Sequence, residues 1–317
     1  MRIVLRAGVV LLAAIPAFAQ IDFAGNWAAR YHQDWQDRAI GPDVVEYLGI
    51  PLSNAGRAKA LNYDATILSL PERQCLYYTP PYLVVGPFPI KMWEESDPIT
   101  GKQTAWRIGG IVDGAGLTIW MDGRPHPAEF APHSFMGFTT GHWDGDVLTT
   151  YTTHMKAGYL RRNGAPSSDQ ATMTLHFMRH SDILTITALI EDPVYLTEPD
   201  VISRTWVFDP SLDIRPTPSP CSPEVEVPRL DGNSSIPHFL PGKNPWVDEV
   251  AKTYNIPREA VLGGAETMYP EYRKKLKANY VAPEKCVRYC CGWAAERIAK
   301  ATADVLGCIS NGQGLRR

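Results

Sequence analysis

The 317-residue chain is 44% hydrophobic and 21% charged, with a formal net charge of -3. With a pI near 6.2, that balance suits a folded globular protein and leaves no electrostatic footprint for nucleic acid or an anionic membrane surface. Nine Trp and fourteen Tyr supply ample apolar area for a core, and 27 Pro argue against a mainly helical fold.

Residues 1–19 read as a secretory signal peptide. Arg2 and Arg6 form the positive n-region, residues 9–15 the apolar h-region, and Ala17-Phe18-Ala19 a small-x-small cleavage site that leaves Gln20 as the mature start. The apolar run is shorter than the roughly 20 residues a membrane span requires. No Cys follows the cleavage point, which argues against a lipoprotein, and no later segment reads as a span. The expectation is a periplasmic or secreted protein. In an oxidising compartment the six cysteines (Cys75, Cys221, Cys286, Cys290, Cys291 and Cys308) suggest disulfides: a Cys75–Cys221 bridge and one or two within the tail. The alternative, a metal site made by the last four, lacks the paired C-x2-C spacing of zinc sites.

Residues 22–30 read as a first strand. Its Gly25-x-Trp27 pair resembles the opening signature of lipocalin-like barrels, in which a Trp closes one end. A strand whose aromatic simply packs in a core accounts for it equally well. Residues 34–70 look helical and irregular, with a short helix at 42–48 and Ser53 as N-cap for a helix at 54–61. Five prolines make residues 71–89 extended and loop-like. Strands are then expected at 89–95, 103–108, 117–121, 137–143, 147–154, 170–178, 183–190 and 201–208. Asp144-Gly145-Asp146 marks the strongest hairpin, because Asp-Gly between β-rich runs is a short-range turn signal. Strand after strand without intervening helices argues for an antiparallel sheet that closes on itself, a β-barrel of lipocalin or calycin type, since closure removes exposed edges. The barrel domain is assigned to residues 20–225. Residues 226–317 form a loop-rich extension with helices at 246–254, 266–280 and 291–306, packed on the barrel.

The stretch from Trp120 to Asp146 concentrates the chemistry. Its Asp122-Gly123-Arg124-Pro125-His126-Pro127 turn is followed by Met136-Gly137, Gly141, Trp143 and Gly145-Asp146. This pattern resembles a widespread group of exported bacterial proteins of uncharacterised activity. The likeness continues through Arg162-Asn163-Gly164, Ser168-Asp169 and the run from Asp192 to Thr197, and covers roughly residues 22–225. It implies export and a β-rich fold, with no reaction to transfer.

Six of the eight histidines lie between residues 126 and 180. Histidine serves as acid, base or metal ligand near neutral pH, but the spacings match no local metal motif. His142 and His180 sit beside turns and read as solvated, His176 alternates with Leu175 and Phe177 and faces either outward or into a cavity, and His126, His133 and His154 are the stronger candidates. The catalytic candidates are His126 as general base, Asp122 orienting it, His154 beside it, and Arg162 as electrostatic stabiliser. Asp122 could equally serve only its own turn. Trp27, Trp120, Arg124, His133, Trp143 and Asp192 are the ligand-binding candidates. Asp192 would sit at the barrel mouth, or else hold a structural turn. Nucleophile elbows, P-loops and dinucleotide fingerprints are absent, so no cofactor is expected. These observations favour an exported barrel with a cavity for a hydrophobic or aromatic small molecule, and they leave room there for cofactor-free acid/base chemistry of lyase, isomerase or hydratase type. The competing reading is a non-catalytic envelope or interaction protein.

Overall fold

The computed structural model describes residues 21–30, 33, 47, 49–61, 63, 79–86, 88–110, 116–161, 163–215, 245–263 and 265–277. The expected signal peptide, all six cysteines, Arg162, most of the 42–48 helix and the 291–306 helix lie outside these residues.

The strands are β1 (Gly25–Ala29), β2 (Ile90–Ser96), β3 (Gln103–Gly109), β4 (Leu117–Trp120), β5 (Phe138–Asp144), β6 (Val147–Thr153), β7 (Gly158–Tyr159), β8 (Pro166–Ser167), β9 (Thr172–His180), β10 (Ile183–Glu191) and β11 (Asp200–Phe208). All but β7 and β8 close into one barrel in the order β1-β11-β10-β9-β6-β5-β4-β3-β2, with β1 pairing both β11 and β2. The short β7 and β8 pair with each other. The mainly β barrel is therefore as expected, but it is mixed rather than wholly antiparallel: β4 and β5 run parallel.

Alternation sets which side chains fill the barrel. In β10, Leu184, Ile186, Ala188 and Ile190 are fully buried while the residues between them are not. Facing strands contribute Leu148, Met173, Leu175, Phe177 and Trp206, also with no exposure. Trp27, Trp106, Trp206, Phe23 and Phe177 are among the largest fully buried side chains in the described residues. Eight-stranded barrels are just wide enough for side chains to fill, and the indoles fill this slightly larger one. The Asp144-Gly145-Asp146 hairpin forms as expected, with Gly145 at φ 58, a left-handed conformation that glycine adopts without strain.

The two ends of the barrel differ. One carries the tight turns β2–β3, β5–β6 and β9–β10 and is called the hairpin end. The other carries the 154–171 excursion and the 191–200 loop. α1 (Asn54–Leu61) packs near this second end, touching β8 and the Tyr195 backbone. Ser53 caps it as expected: its Oγ accepts from the Gly56 N–H at 3.1 Å and donates to the Val194 carbonyl at 2.9 Å.

One expectation for residues 71–89 fails. Pro80 and Pro81 open α2 (Pro80–Val85) instead of holding an extended loop. Proline has no N–H to lose at the first helical turn, and its fixed φ suits a helix start. At the C-terminus, α3 (Trp246–Tyr254) stands where expected and ends at Asn255 in the left-handed conformation. The helix expected at 266–280 is instead a 3-10 turn (Ala265–Met268) followed by α5 (Pro270–Lys277), because Pro270 cannot continue the first ladder. Between them and α3 lies α4 (Arg258–Leu262). Val247, Val250 and Val261 join the apolar cluster, and Arg57 of α1 pairs with Glu266 at 2.7 Å. No described helix is long and apolar enough to cross a membrane.

Candidate functional site

Parallel neighbours cannot be joined by a tight turn, so the chain must travel back along the barrel between β4 and β5. Residues 121–137 make that return, and they contain the Asp-Gly-Arg-Pro-His-Pro turn. The segment lies on the outer wall. Thr139 is buried and bonds Thr152 inside at 2.8 Å, so the alternate residues Thr140 and Thr153 point outward, where His126 meets them.

His126 bridges these two hydroxyls, Nδ1 to Thr153 Oγ1 and Nε2 to Thr140 Oγ1, each at 2.8 Å. Thr153 Oγ1 also bonds His154 Nδ1 at 2.7 Å, and His154 Nε2 bonds the Ala128 carbonyl at 2.9 Å. A carbonyl can only accept, so with neutral rings every proton in the chain is assigned. His154 Nε2–H donates to Ala128, leaving Nδ1 to accept from the Thr153 hydroxyl. Thr153 oxygen then accepts from His126 Nδ1–H, and His126 Nε2 accepts from the Thr140 hydroxyl. The chain Thr140–His126–Thr153–His154 thus runs in one direction and pins the return segment to β5 and β6.

His133 completes the cluster. Its Nδ1–H donates to the Met155 carbonyl at 2.8 Å, and its ring lies 5.2 Å from that of His154. This bond puts the proton on Nδ1 and leaves the Nε2 lone pair without a protein partner among the described residues. His154 itself sits at φ 57, in the left-handed region that non-glycine residues seldom adopt. That turn of the backbone ends β6 one residue before the expected boundary and sends the Ser134 N–H to the His154 carbonyl at 3.0 Å.

The surroundings are aromatic and cationic. Phe138 and Tyr151 flank His126 at 5.2 and 5.3 Å between ring centroids. The Lys156 amine lies 4.6 Å from the centroid of the Phe135 ring, and Phe130 is 92% exposed. Partial burial holds the His126 pKa below its ordinary value of 6.5, and charge on His154 lowers it further. The unfolded chain therefore binds more protons than the folded one as pH falls past 6.5. Stability contributed above that point is lost on acidification. A His126→Gln variant should show a shallower fall in urea midpoint from roughly pH 7 to pH 5 than the wild type. Identical slopes would remove His126 from the acid response.

Asp122 does not orient His126. Its carboxylate is forked by Arg124, whose Nε donates to Oδ1 at 2.8 Å and whose backbone N–H reaches the same oxygen at 3.2 Å. That side-chain bond holds the Asp122 pKa down to about 2. Arg124 in turn lies 3.5 Å over the Trp120 ring. These three form a self-contained ledge on the wall. His126 obtains its orientation from threonines instead, a signal the sequence carried only as Thr140 and Thr153 in adjacent strands.

The remaining candidates lie elsewhere. Trp27 is fully buried in the barrel and donates through Nε1 to the Phe23 carbonyl at 3.0 Å. Trp143 faces inward and stacks on Phe23. Asp192, 3% exposed, is filled by four donors and holds loops together at the second end. Among the described residues no three His, Cys, Asp or Glu side chains are arranged to hold a metal ion. Compared with models of protein families, with curated proteins and with solved structures, the chain matches none.

Proposed function

We propose that this is an exported β-barrel protein that binds a small aromatic or hydrophobic molecule on its outer wall and performs cofactor-free acid/base chemistry there. The packed lumen argues against a ligand lying free in the barrel, and the wall carries the titratable groups. The observation that supports this reading is His133: a tautomer set by a backbone carbonyl, an Nε2 lone pair left available, and His154 5.2 Å away between ring centroids. An imidazole so fixed presents Nε2 as the acceptor for a proton drawn from a bound molecule. Phe130, in the same return segment, is 92% exposed, and Tyr151, 43% exposed, packs beside His126. His126 belongs to the scaffold of the site, since both its nitrogens are engaged. The likeness to exported bacterial proteins is in keeping with this placement, because its signature residues build the return segment and the following hairpin.

The experiment compares wild type with His133→Gln. Each is incubated with a low-molecular-mass metabolite extract, and mass spectrometry follows which compounds are depleted or retained. The wild type should deplete or retain an aromatic compound that the variant ignores. The same behaviour from both proteins would end the case for His133. The non-catalytic envelope reading has no comparable observation in its favour.

A further inference from the structure

We propose that Phe23 stands in for a ligand: the hairpin end of the barrel is a binding site for a small planar heteroaromatic molecule, closed here by the protein's own phenyl ring. Phe23 is fully buried although it lies outside the strands, in the arm before β1. Its ring stacks on Trp143 at 5.6 Å and 4°, and meets Trp106 and Phe177 at angles of 75° and 61°, 5.9 and 6.1 Å away. These three residues make an aromatic box around it.

The box also holds polar groups that a phenyl ring cannot serve. Trp106 Nε1, Trp143 Nε1 and Thr150 Oγ1 are buried without a hydrogen-bond partner. The strand registers place all three on one sector of the inner wall. Trp106 is opposite Ile119, which neighbours Thr139, while Thr150 and Trp143 face Gly141 and Leu148 across the β5–β6 pair. Buried donors without partners are uncommon because each gives up its bond to water for nothing. A flat ring with acceptor atoms on its edge would keep the stacking on Trp143 and offer acceptors to Trp106 Nε1, whose ring stands at 75° to it, and to Thr150 Oγ1. The arm is held through its backbone: Trp27 donates to the Phe23 carbonyl at 3.0 Å, and Arg179 donates to the Asp22 carbonyl. Its attachment therefore does not require the phenyl ring to occupy the box. This site is separate from the histidines on the outer wall, and the two proposals stand or fall independently.

Quinoxaline and naphthalene test it, since they share an outline and differ in two ring nitrogens. Each is titrated calorimetrically into the full chain and into Phe23→Leu, which keeps most of the side-chain volume. Quinoxaline should bind both proteins, and about tenfold more tightly to the variant, where less must be displaced. It should also bind about tenfold more tightly than naphthalene, a preference that Thr150→Val should reduce by removing a donor at nearly constant shape. Equal affinity for the two probes would overturn the proposal. So would binding to Phe23→Leu alone, which would mark the box as an engineered cavity. Should that variant fail to fold, the wild-type titration decides: no quinoxaline binding there overturns the proposal.

Discussion

Replacing Asp192 with alanine should lower the unfolding free energy by about 3–5 kcal/mol, read as a shift of the urea midpoint at constant slope. The carboxylate is 3% exposed and accepts from the Ser168 N–H at 2.7 Å, the Ser168 hydroxyl at 2.8 Å, and the Val194 and Tyr195 N–H groups at 2.9 and 3.1 Å. These bonds join the excursion after β6 to the loop after β10. The same loop holds α1, through Ser53 N–H to the Tyr195 carbonyl and Thr197 N–H to the Pro51 carbonyl, both at 2.8 Å. Alanine leaves several buried donors unsatisfied at once, and each such group costs about 1–3 kcal/mol. Asparagine keeps one acceptor oxygen and should cost less than alanine. A loss below about 1 kcal/mol for alanine would show that the clamp contributes little and would return Asp192 to the ligand-binding candidates. Wall-site behaviour should be unchanged in the folded fraction, because Asp192 touches none of the histidines.

Trp27→Ala should cost a similar amount, about 3–5 kcal/mol, for a different reason. Here the loss is packing rather than hydrogen bonding. The indole is fully buried, packs against Phe208 at 5.4 Å, and lies 5.1 Å from the Arg179 guanidinium. It sits where β1 closes the barrel, with Trp27 paired to Ile90 on one side and Phe208 on the other. Emptying that position leaves a large cavity at the closing strand and releases the hydrogen bond to Phe23. Trp27→Phe should cost less, since the ring packing is partly retained. Thermal unfolding of the two variants beside wild type measures both terms. Equal losses would assign the effect to the indole N–H, not to volume.

Much of this barrel is readable without coordinates. Eight expected strands after the first fall within two residues of those found, because alternation and turn residues are local. Asp144-Gly145 dictates a hairpin by backbone preference alone, and Ser53 caps α1 with its own hydroxyl. The departures arise where a local rule admits two outcomes. Pro80-Pro81 disrupts a helix interior but is compatible with a helix start. Asp122 could reach either His126 or Arg124, and the residue two positions away wins because its fork fits a carboxylate with no demand on the fold.

The amino-acid sequence by itself determined the nine barrel strands, the hairpin at residues 144–146 and the crowding of histidines into one region. Only the tertiary structure decided that β4 and β5 run parallel, since an alternating pattern does not encode strand direction. That pairing forces residues 121–137 back across the outer wall. It brings His126 to Thr140 and Thr153, 14 and 27 residues away in the chain, and sets His133 beside His154. The histidines His126, His133 and His154 were visible from the start. Which of them keep a free nitrogen depends on hydroxyls and carbonyls supplied by the barrel wall.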